Sequence, residues 1–161
     1  MGSIYVNGNT FTVDGAQGSY GIGSDTTGNG TLAAPYKTIR KAVSVASIGD
    51  NVFIAPANYN EAYSTAYGIR MFNACNLRAD ASGDVNMTAT GASGATVFLN
   101  GNGDVVIDGV NFPNVGNRNM IYDYNRTAGS LTLKKSNISQ TQASGETKQL
   151  IRVCSDRSFV S

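Results

Sequence analysis

Apolar residues in this chain come in short bursts, separated by turns rich in Gly, Asn and Ser. Most bursts follow the two-residue alternation of a strand. The strand candidates are Val52–Ala55, Ile69–Phe72, Cys75–Ala79, Val85–Ala89, Thr96–Leu99, Val105–Ile107, Met120–Asp123, Leu131–Leu133 and Leu150–Val153. Short strands so closely spaced predict an all-β fold. At the start, Ile4, Val6, Phe11 and Val13 alternate on either side of Asn7-Gly8-Asn9, which predicts a hairpin or a bent strand pair over residues 3–13. Residues 14–30 contain almost no large aliphatics and read as a surface loop. The exception to strand spacing is Tyr36–Ala46. There Ile39, Ala42, Val43 and Ala46 form the i, i+3, i+4, i+7 stripe of an amphipathic helix, with Lys37, Arg40, Lys41 and Ser44 on the wet face. Thr38 suits the N-cap, and Gly49 stops the helix. So short a helix is unstable alone and must lie against an apolar surface.

Internal repetition narrows the architecture. Gly68–Leu77, Gly103–Phe112 and Gly129–Ile138 share a ten-residue frame, with Gly first, apolar residues in the middle, then Asn and an apolar residue. The gap from the first window to the second is longer than the gap from the second to the third. Such spacing is expected for stacked coils, one of which carries a loop insertion. A coil of that length cannot bury its own apolar face, so coils must stack. Asn76, Asn111 and Asn137 would then line up as a hydrogen-bonded ladder. The competing explanation is chance similarity in a chain with 19 Gly and 17 Asn.

The stretch from Asp25 to Glu61 carries a more specific pattern. Gly30-Thr31, the run Pro35-Tyr36-Lys37-Thr38-Ile39, Gly49-Asp50, the strand Val52–Ala55 and Tyr59 follow one another in order. This order resembles the opening segment of the pectate-lyase-like superfamily of right-handed parallel β-helices. Asn58 departs mildly from the Gly or Thr usual beside that Tyr. The resemblance implies a right-handed solenoid whose N-terminal end is plugged by the helix, with Thr38, Ile39, Ala42, Val43 and Ala46 as the structural cap. On this reading the chain is one domain. Residues 1–34 form N-terminal strands and a lead-in loop, 35–49 the capping helix, and 50–161 the coils. No polar terminal coil closes the segment Cys154–Ser161. A longer natural chain, or a partner covering that end, is therefore expected.

Composition then limits the chemistry. Charged residues are only 14% of the chain and the net charge is +1, which leaves no electrostatic footprint for nucleic acid. No apolar run approaches the roughly 20 residues of a membrane span. The opening Met1–Asn7 lacks the basic and apolar regions of an export signal. The chain has no His, so catalytic triads and zinc sites that need one are excluded. Cys75 and Cys154 read as buried free thiols. Asp25–Asn29 lacks the acidic residues of a calcium loop, so neither a metal nor a cofactor is expected.

A polysaccharide-cleaving member of the superfamily needs clustered carboxylates. Asp104 and Asp108 flank one strand, but extended geometry would hold them about 13 Å apart, too far for either glycosidase arrangement. No catalytic residue is assigned. Tyr122, Asp123, Tyr124 and Arg126 form the best sugar-binding group, the alternative being tyrosines packed in the core or against a neighbouring chain. Low charge, no His and Asn/Gly/Thr-rich coils also resemble bacteriophage tailspikes, fibres and head-surface proteins. That resemblance implies a structural, receptor-facing part of a virion. The partners it implies are further copies of the chain (a trimer favoured), other virion proteins and cell-surface polysaccharide. The alternatives are the N-terminal part of a polysaccharide lyase or glycoside hydrolase, and a secreted, extracellular adhesin.

Overall fold

The computed structural model describes residues 1–61, 66–81, 83–89, 94–113, 119–124, 126–139 and 151–153. Cys154 and the segment after it, expected to form an open end, lie outside these residues. Among the described residues the fold is all-β apart from one helix. In order, the elements are β1 (Ser3–Val6), β2 (Val13–Gly15), β3 (Gly18–Tyr20), α1 (Ile39–Val45), β4 (Asn51–Ile54), β5 (Ala57–Asn60), β6 (Tyr67–Met71) and β7 (Asn76–Ala79). They continue with β8 (Val85–Thr88), β9 (Ala95–Leu99), β10 (Val105–Asp108), β11 (Val110–Asn111), β12 (Asn119–Asp123), β13 (Leu131–Lys134) and β14 (Ile151–Val153).

Apart from the pair β2–β3, strands adjacent in sequence go to different sheets. The first sheet runs β1-β4-β7-β10-β13, the second β11-β8-β5 and the third β14-β12-β9-β6. Pairing within these three sheets is parallel. Equivalent positions in the first sheet are Val52, Leu77, Ile107 and Leu133, one from each successive turn of the chain. Side chains of alternate residues point inward from each sheet and merge into one core. That core includes Val52, Leu77 and Ile107 from the first sheet, Val85, Met87 and Val110 from the second, and Ile69, Val97 and Ile121 from the third. Burial of each such aliphatic contributes roughly 1.5–3 kcal/mol.

Stacking also aligns amides, in two ladders. Asn86 donates through Nδ2 to Asn58 Oδ1 at 3.0 Å, Asn111 donates likewise to Asn86 at 3.4 Å, and the Asn137 N–H donates to Asn111 Oδ1 at 3.1 Å. Asn76 belongs elsewhere. It donates to Asn51 Oδ1 at 3.2 Å and accepts from the Val106 N–H at 2.9 Å, on the first sheet. The expected ladder of Asn76, Asn111 and Asn137 is thus corrected: Asn111 and Asn137 share one, and Asn76 sits in another. The cause is phase. Gly68–Leu77 begins in β6 of the third sheet, whereas Gly103 and Gly129 both precede strands of the first. Those two glycines do stack, both at positive φ (123° and 104°), and a Cβ on Gly129 would lie 2.0 Å from the Gly103 carbonyl oxygen.

The N-terminal end differs from the expectation too. Residues 3–13 form no hairpin, because β1 pairs in parallel with β4. The hairpin is β2–β3, within the stretch read as a loop. Its anchor is remote in sequence. The buried Asp80 carboxylate accepts from the N–H groups of Ala16 (2.8 Å) and Gln17 (3.2 Å) and from the Tyr20 hydroxyl (3.1 Å). Hydrogen bonding to that carboxylate explains how a strand pair with few aliphatics is held. β5 and β11 were not anticipated either. They are short, and Tyr59, expected at a turn, lies inside β5, its hydroxyl donating to the Ala55 carbonyl at 2.8 Å.

α1 packs on β6, the terminal strand of the third sheet, and on β1 and β4. It buries Ile39, Ala42 and Val43, and Ala46 follows as C-cap. Three carboxyl or hydroxyl groups fix its start. Thr38 Oγ1 accepts from the Lys41 N–H at 3.1 Å. Asp25 accepts from the N–H groups of Lys37 and Thr38 and from the Thr38 hydroxyl. Glu61, just past β5 and 3% exposed, accepts from the N–H groups of Ile39 (2.7 Å) and Arg40 (3.2 Å). No helix among the described residues is long and apolar enough to cross a membrane.

Burial is the main influence on the Glu61 carboxyl and raises it above its usual 4.5. The folded state therefore holds the proton more tightly than the unfolded chain, and this contribution to stability fades as pH rises from about 4.5. Replacing Glu61 with Ala removes both acceptors and should lower stability by about 1–3 kcal/mol. Glu61→Gln should lose the titration, so the melting temperature of the parent relative to this variant should fall as pH is raised. Melting curves across that range check both expectations.

Candidate functional site

The third sheet separates the four residues of the sugar-binding group onto opposite faces. Tyr122 and Tyr124 lie outside, with ring centroids 5.5 Å apart. Asp123 points inward, in register with Leu99 and Met71 of the rows before it. Asp123 and Arg126 are 4% and 1% exposed. Their ion pair is 3.2 Å long, and Arg126 also donates to the carbonyl oxygens of Gly103 and Ser130. Asp123 and Arg126 therefore tie three segments of chain together inside the fold. They present no polar atoms to a sugar outside it, and the proposed four-residue group is corrected to its two tyrosines.

Those tyrosines belong to a larger outer surface. Register places Arg70, Phe98 and Tyr122 side by side on β6, β9 and β12. Tyr67 packs on Phe98 at 4.2 Å, and Phe98 meets Tyr122 at 5.5 Å and Tyr124 at 5.8 Å. The Arg70 guanidinium lies over the rings of Phe72 (4.5 Å) and Phe98 (5.3 Å). Tyr124 and Phe72 are the open ends of this surface, 38% and 49% exposed. Sequence reading missed Tyr67, Arg70, Phe72 and Phe98 because the first three lie far along the chain from Phe98, and all four lie far from Tyr122 and Tyr124. Only the stacking register brings them together, and a repeat frame in the correct phase would have been the signal.

The surface ends at a cleft of about 300 Å³ between the third sheet and α1, lined by Arg70, Phe72, Arg40, Lys41, Ser44 and Asp25. A second cleft, about 270 Å³, follows the amide ladder past Asn86, Asn111, Asn137 and Ile138. Its asparagines are already engaged with one another.

Among the described residues, carboxylates do not gather at either cleft. Asp50 accepts from the N–H groups of Gly2 and Ser47, and the Gly2 bond is the main influence holding its carboxyl below the usual range. Asp104 accepts from the Ser130 N–H (2.8 Å) and hydroxyl (2.9 Å), and the first of these is the main cause of its lowered pKa. Asp108 faces Arg78 at 3.7 Å. The pair Asp104 and Asp108 is thus divided between a turn and a surface ion pair. Among the described residues no group of three His, Cys, Asp or Glu could hold a metal ion. Cys75 is buried and free, its thiol pushed up to about 12 by burial.

Comparison with known proteins gives one match. The family model described as a protein of unknown function (DUF1565) matches residues 21–137. No curated protein and no solved structure matches the chain.

Removing one member of a buried ion pair leaves the other charge uncompensated. Arg126→Met should therefore destabilise by about 3–5 kcal/mol, and Arg126→Met combined with Asp123→Leu should recover much of that loss. Denaturant unfolding of the two variants measures the difference.

Proposed function

The chain belongs to the DUF1565 family, and we propose that it is a right-handed parallel β-helix serving as a structural, receptor-facing component of a bacteriophage particle. The order of the three parallel sheets supports the solenoid reading, since consecutive strands visit different sheets and return one row further on. The pectate-lyase-like pattern between Asp25 and Glu61 supports it too, with α1 plugging the N-terminal end.

The observation that carries the functional reading is the aromatic outer face of the third sheet. Tyr67, Tyr122 and Tyr124 gather there around the ring of Phe98, which they leave only 4% exposed. Rings offer a broad apolar face, and a tyrosine hydroxyl adds a polar edge, a combination suited to the faces and hydroxyls of sugars. Glycosidic cleavage instead needs two carboxyls set across one bond. In this chain Glu61, Asp80, Asp104 and Asp123 accept hydrogen bonds or pair within the fold. That use of the acidic residues favours binding over cleavage.

On this reading the chain acts in the virion as a homotrimer, held among other virion proteins, and meets cell-surface polysaccharide along the aromatic face. Light scattering after gel filtration tests the assembly. A trimer should show three times the 16.8 kDa mass of one chain. A monomer that also releases sugar fragments from an acidic polysaccharide would overturn the proposal in favour of a lyase or hydrolase.

A further inference from the structure

We propose that the cleft between α1 and the outer face of the third sheet binds the carboxylate of an acidic sugar residue, with Arg70 as its anchor. The inference deepens the receptor-facing reading above and rests on it for the source of the sugar.

Arg70 is held in place before any ligand arrives. Its guanidinium lies over Phe72 at 4.5 Å and Phe98 at 5.3 Å, contacts that restrain the plane without satisfying its hydrogen-bond donors. The Nε atom of Arg70 is buried and has no hydrogen-bond partner. A buried donor without an acceptor is a standing cost that an arriving oxygen removes. Carboxylates match the guanidinium fork in a way that neutral hydroxyls do not.

The rest of the lining has the same sign. Arg40, Lys41 and Arg70 supply three positive charges against the single negative charge of Asp25. Both Asp25 oxygens already accept from the start of α1, at 2.7–3.0 Å. Phe72, 49% exposed, offers a ring for the C–H face of a sugar. The volume of about 300 Å³ is at the small end for ligand sites and fits one sugar residue. The aromatic group leads away from the cleft, so that neighbouring residues of the same polysaccharide would cross Tyr122 and Tyr124, which pack over the buried Phe98 ring. An anion in the cleft shares its chemistry with phosphate, so the test must separate the two.

The measurement is titration of the whole chain with glucuronate, glucose and inorganic phosphate in turn, followed by NMR of the Arg70 Nε–H and of the amides of α1 and β6. Glucuronate should shift these signals in a saturable way, and glucose should not. Arg70→Gln should weaken glucuronate binding by about ten-fold or more, and Phe72→Ala should weaken it several-fold. Lys134→Gln, on the first sheet, should leave it unchanged. If Arg70→Gln does not fold, Lys41→Gln and Phe72→Ala carry the test, and both should still weaken binding. No saturable shift with glucuronate, equal binding of glucose, binding of phosphate alone, or glucuronate binding indifferent to these cleft variants would each overturn the proposal. The mass of the unsubstituted chain, set beside its glucuronate titration, separates this inference from the one above. A trimer that ignores glucuronate removes only the sugar site, and a monomer that binds it removes only the virion assembly.

Discussion

A strand whose sequence neighbours lie in other sheets has no backbone partner within its own turn of chain. Its N–H and C=O groups point along the stacking direction, and a neighbouring turn must supply their hydrogen bonds. In-register stacking is therefore the constraint on which the rest of this structure depends. It places Val52, Leu77, Ile107 and Leu133 in one row, and it brings asparagines from four turns into a ladder. It also requires something at the first turn that is not another turn. There the helix α1 packs on β6, and the segment from Gly30 to Tyr36 bonds to β1 through Tyr5 and Asn7.

Acidic residues carry much of the non-repeating part of this design. Asp80 joins the hairpin to the end of β7, Asp25 and Glu61 fix the start of α1, and Asp123 pairs with Arg126, which bonds to Gly103 and Ser130. Each links segments distant in sequence or unlike in structure, where a regular ladder is not available. A buried carboxylate accepting backbone N–H bonds is favourable only while those donors stay in place. These residues thus trade versatility for order. Around the cleft only Asp25 remains among aromatic rings and cations, with both of its oxygens engaged by the start of α1.

Much of the fold was legible in the sequence because it follows from local pattern. The helix with Ile39, Ala42 and Val43 inward is a strong helical-period signal, and most strands lie where alternation puts them. What was not legible depends on contacts between turns. The frame beginning at Gly68 looked equivalent to those at Gly103 and Gly129, yet it starts one sheet early. Pattern within a window cannot fix phase when successive turns differ in length, as those from Val52 to Leu77 and from Leu77 to Ile107 do. The hairpin was hidden for a related reason, since Asp80, far along the chain, holds it. At the candidate site, Tyr122 and Tyr124 were found from their spacing. Asp123 and Arg126 looked like neighbours of those rings, but alternation and burial turn them inward. Arg70 and Phe72 reach the site only through register.

The most direct measurement is a set of nuclear Overhauser contacts between labelled methyl groups in solution. In-register parallel stacking predicts contacts from Val52 to Leu77, from Leu77 to Ile107 and from Ile107 to Leu133, in a single series. A break in that series, or contacts joining strands adjacent in sequence such as β7 and β8 as antiparallel pairs, would contradict the stacked arrangement and everything built on it.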